Sequence, residues 1–518
     1  MLVPVTSGEE QWNRIKSNQA TRLQQYLVPR FTNSSCIGHS LAFFSNSDAL
    51  LERGLDYTGR THEIYAIKVW RQRLYIITAP EDVAAAFRNN TSLNFDGHLN
   101  ELLINFGFKG EALRLAWHEP EPGESCYLPD DLITPRQKSL NRLTEEVYKQ
   151  QLLPGEKMDI MCRVFINALD YTLQWNRLEF CTLAHNGDRK QVSLRALCRY
   201  TMVDAATRSM FGSHLHAIEP DIVRHMLEFN EFVWMIFFRY PDFLGSPAAA
   251  PRWKITKVLE TFISLPEEQR SEQAWSIKTI LAAQEIVGID LRSRASIILM
   301  IYWAANSNEY NISFWVFSHL LFEETLLDLV RAETEAAWSN GTLHVKSLCA
   351  NSPNLEAIFC EALRLNGGAM VSRKVLAPTD IGGKALQPGN SIIIPSRQLH
   401  KNKDVWGFDV NEFDAFRFAK KKKSCQAFIL PPIRWRGYLL SWTGSCQGRG
   451  LRLYRDYTPS IRHQAGSTKR FSTEAGFSQT RRQHSCIGDH GSCEEHGCHR
   501  QYVGFKIRGL RSIILRMI

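Results

Sequence analysis

From residue 135 to about residue 338 the apolar side chains recur at the three- and four-residue spacing of an amphipathic helix, almost without a break. A chain with that pattern needs a body of packed helices. Its punctuation falls at Pro154-Gly155, Pro241 and Ser246-Pro247, where proline or glycine ends a helix. Ahead of the body, residues 48–56 read as a short amphipathic helix. Ile64-Tyr-Ala-Ile-Lys-Val-Trp70 and Arg73-Leu-Tyr-Ile-Ile-Thr78 are apolar, β-branched runs around Arg71-Gln72, which is the pattern of a hairpin. Pro80, followed by Glu81 and Asp82, opens another helix. After Leu365 the texture changes: Val371-Ser-Arg-Lys-Val375 and Ser391-Ile-Ile-Ile-Pro395 read as strands, with Gln387-Pro-Gly-Asn390 as a turn between them. The expected fold class is mostly α with a small β subdomain near the N-terminal end of the body, and no internal repeat.

With 62 Lys and Arg against 53 Asp and Glu, the 518 residues carry a formal charge of +9, a balance that invites a nucleic-acid or anionic-membrane partner. The charge is not spread evenly. Residues 429–518 hold 15 of the basic and 5 of the acidic side chains, which leaves 47 and 48 in residues 1–428. The near-neutral body argues for no nucleic-acid partner, and Lys420-Lys-Lys-Lys423 reads as a solvated loop. Nine of the twelve cysteines stand singly between Cys36 and Cys446, unlike the dense framework of a small secreted domain, so a reducing compartment is expected. The first residues lack the apolar region of a signal peptide. The longest uncharged apolar run, residues 297–305, falls well short of the ~20 residues that cross a bilayer.

Glu361 and Arg364 stand three apart in a helical stretch and can meet on one side of it. On a surface such a pair is worth only about 0.5 kcal/mol. Downstream, the aromatic-dense stretch that begins at Asp404 ends in Phe413-Asp-Ala-Phe-Arg417-Phe418. Arg417 is a second cation that can close a Glu361–Arg364–Arg417 cluster in which each charge is forked and paired.

On these residues the chain resembles the cytochrome P-450 superfamily, over roughly residues 36–428. Glu361-Ala-Leu-Arg364 is similar to the family's E-x-x-R helix. Phe413 to Phe418 is similar to its P-x-R-F segment, with Ala415 in place of the usual proline. His400 with Trp406-Gly407 repeats its H-x-x-P-x-x-[FW]-G texture, with Lys403 at the proline position. Arg373 stands where the family places an arginine on a haem propionate. The resemblance implies a P-450 fold with haem b as cofactor, NADPH electrons delivered through a reductase partner, and a lipophilic small-molecule substrate of terpenoid, sterol or polyketide type, in secondary metabolism. It implies cofactor-binding roles for Arg373, Glu361, Arg364 and Arg417. The helix expected to cross the haem includes Ala305-Asn-Ser-Asn-Glu309, where most members carry A-G-x-[DE]-T. Asn308 replaces the acid and Glu309 the threonine, and both are candidate catalytic residues facing the oxygen pocket. The neighbouring Tyr302-Trp303-Ala304 and Phe314-Trp315 are closest in texture to the branch with sterol 7α-hydroxylases and prostacyclin synthase.

A haem-thiolate enzyme needs a cysteine in a loop before a helix, and the signature F-x-x-G-x-x-x-C-x-G is absent. Cys446 has glycine two positions later but lacks the rest, and is a weak fallback for the iron. Reading 433–443 from the second base of each codon offers an explanation. Trp435 and Trp442, encoded by TGG, both become glycine. Codon choice permits Ile433 to become Phe, Leu440 Cys and Ser441 Pro. The expected axial cysteine therefore falls at the Leu440 position of a shifted frame, and residues 429–518 read as a basic tail out of frame, holding eleven of the 31 glycines. Clustered Cys486, His490, Cys493, His496, Cys498 and His499 then read as an accident of that frame rather than a zinc site.

Three segments follow: 1–35, without a membrane anchor; 36–428, the catalytic domain lacking its cysteine loop; and 429–518. Two functional readings stay open, a haem-dependent monooxygenase and a catalytically inactive homologue that lost its thiolate through a frame change. By family the location is the cytoplasmic side of the endoplasmic reticulum, or the cytoplasm if the missing anchor is real.

Overall fold

The computed structural model describes residues 38–69, 72–108, 110–121, 138–186, 189–237, 246–339 and 342–420. Residues 1–35, Leu440, Cys446 and the whole basic tail, with its frame-change and zinc readings, lie outside the described residues.

Helices make up most of the described chain. Five of them position the site: Leu194–Phe211 (α1), Ile222–Phe237 (α2), Leu291–Asn306 (α3), Glu309–Phe322 (α4) and Pro353–Asn366 (α5). Local chemistry sets their ends. Ser193 caps α1 by accepting from the Ala196 amide, and Asp290 caps α3 by accepting from the Ser293 amide at 3.2 Å. Pro353 opens α5 in its first turn. In α2 the buried Ile222, Val223, Met226, Phe229, Val233 and Ile236 share one face, while Arg224 and Glu231 face solvent. These faces meet in one apolar cluster that runs from Leu103 to Ala415. The helical run is less continuous than its periodicity implies. A 3₁₀ turn at Trp175–Cys181 and an antiparallel pair, Thr182–Asn186 with Arg189–Val192, interrupt it. Both pieces are too short to disturb a period read over longer windows.

The main sheet has five strands: Tyr65–Val69 (β1), Gln72–Ile76 (β2), Leu93–Asn94 (β3), Met370–Val375 (β4) and Ser391–Pro395 (β5). Their order is β1-β2-β5-β4-β3. β1 and β2 form the expected hairpin, but the sheet is not an N-terminal subdomain. β5 runs parallel to β2, with Ser391 opposite Leu74, and antiparallel to β4, with Ile392 opposite Arg373. Ala66, Tyr75, Ile392 and Ile394 join one apolar cluster, whereas Tyr65, Ile67, Ile76 and Ile393 join another. A strand buried on both faces reads as an unbroken apolar run, which is why Ile392-Ile-Ile394 shows no alternation. Between β4 and β5 the structure adds a small hairpin, Thr379–Ile381 with Lys384–Leu386, where the sequence suggests only a turn. Gly382 and Gly383 make it, both at positive φ (57° and 70°), as a tight hairpin turn requires.

Candidate active site

The three charged residues singled out in the sequence meet in the interior: Glu361 and Arg364 on α5, and Arg417 at the start of the short helix Arg417–Lys420. Arg364 grips the Glu361 carboxylate with two prongs, Nε donating to Oε2 at 2.8 Å and Nη2 to Oε1 at 2.7 Å. Arg417 Nε donates to the same Oε1 at 3.1 Å, as does the Asp414 amide. Other guanidinium hydrogens reach backbone. Arg364 donates to the carbonyls of His400 (3.0 Å), Val410 (2.6 Å) and Glu412 (3.2 Å), and Arg417 to that of Trp406 (3.1 Å). The Trp406 ring lies 5.3 Å from the Arg364 guanidinium carbon.

Two buried cations against one carboxylate would leave a net charge in a low-dielectric interior. Asp409 supplies the second anion: Arg417 Nη2 donates to its Oδ2 at 2.9 Å and Nη1 to its Oδ1 at 3.1 Å. Hydrogen bonding from Arg417 holds the Asp409 carboxyl below its ordinary pKa. Sequence reasoning missed Asp409, because Asp404, Asp409 and Asp414 stand at equal steps and nothing local separates them.

The long central helix divides at Ser307 and Asn308, and three consecutive polar side chains explain the break. Asn306 Nδ2 donates to the Tyr302 carbonyl at 2.8 Å and Ser307 Oγ to the Ala304 carbonyl at 3.4 Å. The Ser307 hydroxyl stands in for the backbone donor that a continuous helix would send to the Ala304 carbonyl. The ladder resumes where the Ile312 amide donates to the Asn308 carbonyl at 3.2 Å. Ala304 and Asn308 are exposed and Ser307 half-buried, forming one stripe. Asn308 Nδ2 donates to Ser307 Oγ at 2.9 Å. Glu309, expected beside Asn308, is buried on another side. Adjacent helical residues point about 100° apart, so sequence neighbours need not share a face.

Arg373 projects from β4 and is half-buried. Its Nη1 donates to Asn90 Oδ1 and to the Leu93 carbonyl, both at a long 3.4 Å. Its guanidinium carbon lies 5.1 Å from the centre of the Phe87 ring. The buried Nε has no hydrogen-bond partner among the described residues. Burial depresses the guanidinium pKa below its ordinary value. On the same strand Ser372 Oγ lies 2.7 Å from His98 Nε2, and burial holds the His98 pKa down to about 4.

The family model described as Cytochrome P450 matches residues 179–432, a stretch that contains Asn308, Glu309, Glu361, Arg364, Arg373 and Arg417. The chain belongs to the cytochrome P450 superfamily. Among curated relatives, the P450 is 27% identical to cytochrome P450 monooxygenase fsoE of Humicola fuscoatra over 273 residues, 48% of this chain and 45% of that protein. It is 22% identical to cytochrome P450 monooxygenase nodJ of Hypoxylon pulicicidum, over 75% of this chain and 72% of that protein. It is 19% identical to cytochrome P450 monooxygenase calL of Penicillium decumbens, over 78% of each.

A P450 implies haem, and the described residues of this P450 fit one end of it. The Arg373 guanidinium has a buried N–H left over, which suits a carboxylate such as a propionate. The iron ligand is another matter. Cys162, Cys181 and Cys198 are buried, and burial pushes the Cys181 thiol up to about 12 and raises that of Cys198 as well. Burial of that kind disfavours a thiolate. Cys360 sits on α5, in the helix of the ionic cluster. Cys162, Cys181 and Cys198, all buried, are not presented as thiolate ligands.

Proposed function

We propose that this P450 is a monooxygenase acting on a lipophilic small molecule of terpenoid, sterol or polyketide type, in secondary metabolism, with electrons from NADPH through a reductase. The observation that carries the reading is the buried Glu361–Arg364–Arg417 cluster in a chain that matches the P450 family model; several relatives bear the name monooxygenase. Bound haem would supply the oxygen chemistry. The chain's own residues hold and orient. Arg373 takes a carboxylate at its free N–H. Asn308 and Ser307 offer an amide and a hydroxyl on the exposed stripe, where they can donate to substrate or pass a proton, and Glu309 stands behind them as a buried carboxyl group. Among the described residues no helix is long and apolar enough to cross a membrane. A place at the cytoplasmic face of the endoplasmic reticulum, or in the cytoplasm, stays part of this proposal.

A second reading, an inactive homologue, is favoured by the absence of the cysteine signature from the sequence. The two are joined by the proposal that the loop is encoded in the second frame near Ile429, with cysteine at the Leu440 position. The carbon-monoxide spectrum of the reduced protein separates them. The absorption for which the superfamily is named requires a thiolate on iron, and its absence from a haem-reconstituted chain would overturn the monooxygenase reading for this chain.

A further inference from the structure

One side chain ties both halves of the divided central helix to α2. The indole of Trp303, on α3, donates from Nε1 to Asn230 Oδ1 at 2.7 Å. The same amide donates from Nδ2 to the Tyr310 hydroxyl, on α4, at 2.6 Å. Trp303 and Tyr310 stand seven positions apart, two turns of an unbroken helix, with the break at Ser307 and Asn308 between them. An indole N–H can only donate, so it takes the amide oxygen and leaves the amide NH₂ for the phenol. Rings hold the donor in place: Trp303 packs edge-on against Phe237 of α2 at 5.2 Å and lies 5.9 Å from Phe106. Tyr310 is buried, with the Arg199 guanidinium 6.0 Å from its ring.

We propose that Asn230 is a positioning residue: its one amide sets the two half-helices in register across their break and so places Ser307 and Asn308 on the exposed stripe. Its value to catalysis rests on the function proposed above, but the clamp itself does not. A helix whose ladder is interrupted has lost the local bonds that set its register. A bridge from a third helix restores that constraint with two hydrogen bonds.

The test is hydrogen exchange of the full chain, read by mass spectrometry over residues 304–312, with α5 as internal control. Asn230→Leu removes both bonds, and exchange over 304–312 is expected to rise about tenfold or more, the ordinary net worth of two hydrogen bonds, while α5 is unchanged. Asn230→Asp is expected to exchange at the parent rate, because a carboxylate accepts from the indole and from a Tyr310 hydroxyl turned to donate. Tyr310→Phe removes one oxygen and little packing, and is expected to raise exchange by a smaller factor. It carries the test if the leucine variant does not fold. Unchanged exchange in Asn230→Leu and Tyr310→Phe would overturn the clamp, as would an aspartate variant as fast as the leucine one, or a rise shared equally by α5. Exchange is read without reference to haem, so a missing carbon-monoxide spectrum would count against the proposed activity and leave the clamp standing.

Discussion

Replacing Glu361 by Gln tests the ionic cluster most directly, because it removes charge and preserves shape. The carboxylate accepts four hydrogen bonds: two from Arg364, one from Arg417 and one from the Asp414 amide. An amide keeps one acceptor oxygen and turns an NH₂ toward a guanidinium, so at least one donor pair faces another donor. More important is the charge. With Glu361 neutral, two buried guanidinium groups share only Asp409, whose side chain is 49% exposed. Breaking a buried pair from one side costs about 3–5 kcal/mol. Four charge-assisted bonds counted singly would sum to more, but they act as one unit and do not add. Asp409→Asn is the matched control: its carboxylate is half exposed, so water takes over part of what it supplies to Arg417, and it should cost clearly less than Glu361→Gln. The assay is the urea midpoint of the full chain followed by circular dichroism, at constant slope. A Glu361→Gln protein within about 1 kcal/mol of the parent, or one no less stable than Asp409→Asn, would refute the reasoning.

Arg373→Gln should leave the haem-free chain within about 0.5 kcal/mol of the parent, since the lost guanidinium has no acidic partner among the described residues, yet lower haem retention about tenfold; haem content after gel filtration reads it. Burial lowers the pKa of His98 and of His319 to about 4, with His319 stacked 3.6 Å from Phe413. Both rings are neutral when folded and take a proton more readily when unfolded. Their contribution is fully present above about pH 6.5 and is lost as pH falls toward 4, by up to roughly 3 kcal/mol for each ring. Replacing either histidine by Gln should flatten the fall in urea midpoint over that window. Sequencing the transcript should show cysteine at the second-frame codon of Leu440; an uninterrupted message without it ends the frame-change proposal.

Much of the ionic cluster could be read from the linear chain, since Glu361 and Arg364 are one turn apart and Arg417 sits in a recognisable aromatic segment. Its closing anion could not. Val410 and Glu412, whose carbonyls satisfy Arg364, lie 46 and 48 residues from it, and Asp409 belongs to the same irregular stretch. Asn308 and Glu309 mark the opposite case. Both were visible as polar departures in an apolar helix, but the exposure of one and the burial of the other depend on where the helix breaks and what packs on each face. Asn230 gave no sign of itself, being one polar residue on the amphipathic α2.

The helices and the β1–β2 hairpin follow from residue order, because their hydrogen bonds close within a few positions and their apolar spacing records which side is buried. The insertion of β5 between β2 and β4, the choice of Asp409 over its neighbouring aspartates, and the bridge from Asn230 to Trp303 and Tyr310 do not follow from it. The strand insertion and the bridge join groups far apart in the chain, 73 and 80 residues in the case of the bridge, and the Asp409 pair, though it spans only eight residues, depends on how an irregular stretch folds over α5. No local preference encodes such a meeting; it exists only once the helices have packed and brought donor and acceptor within reach.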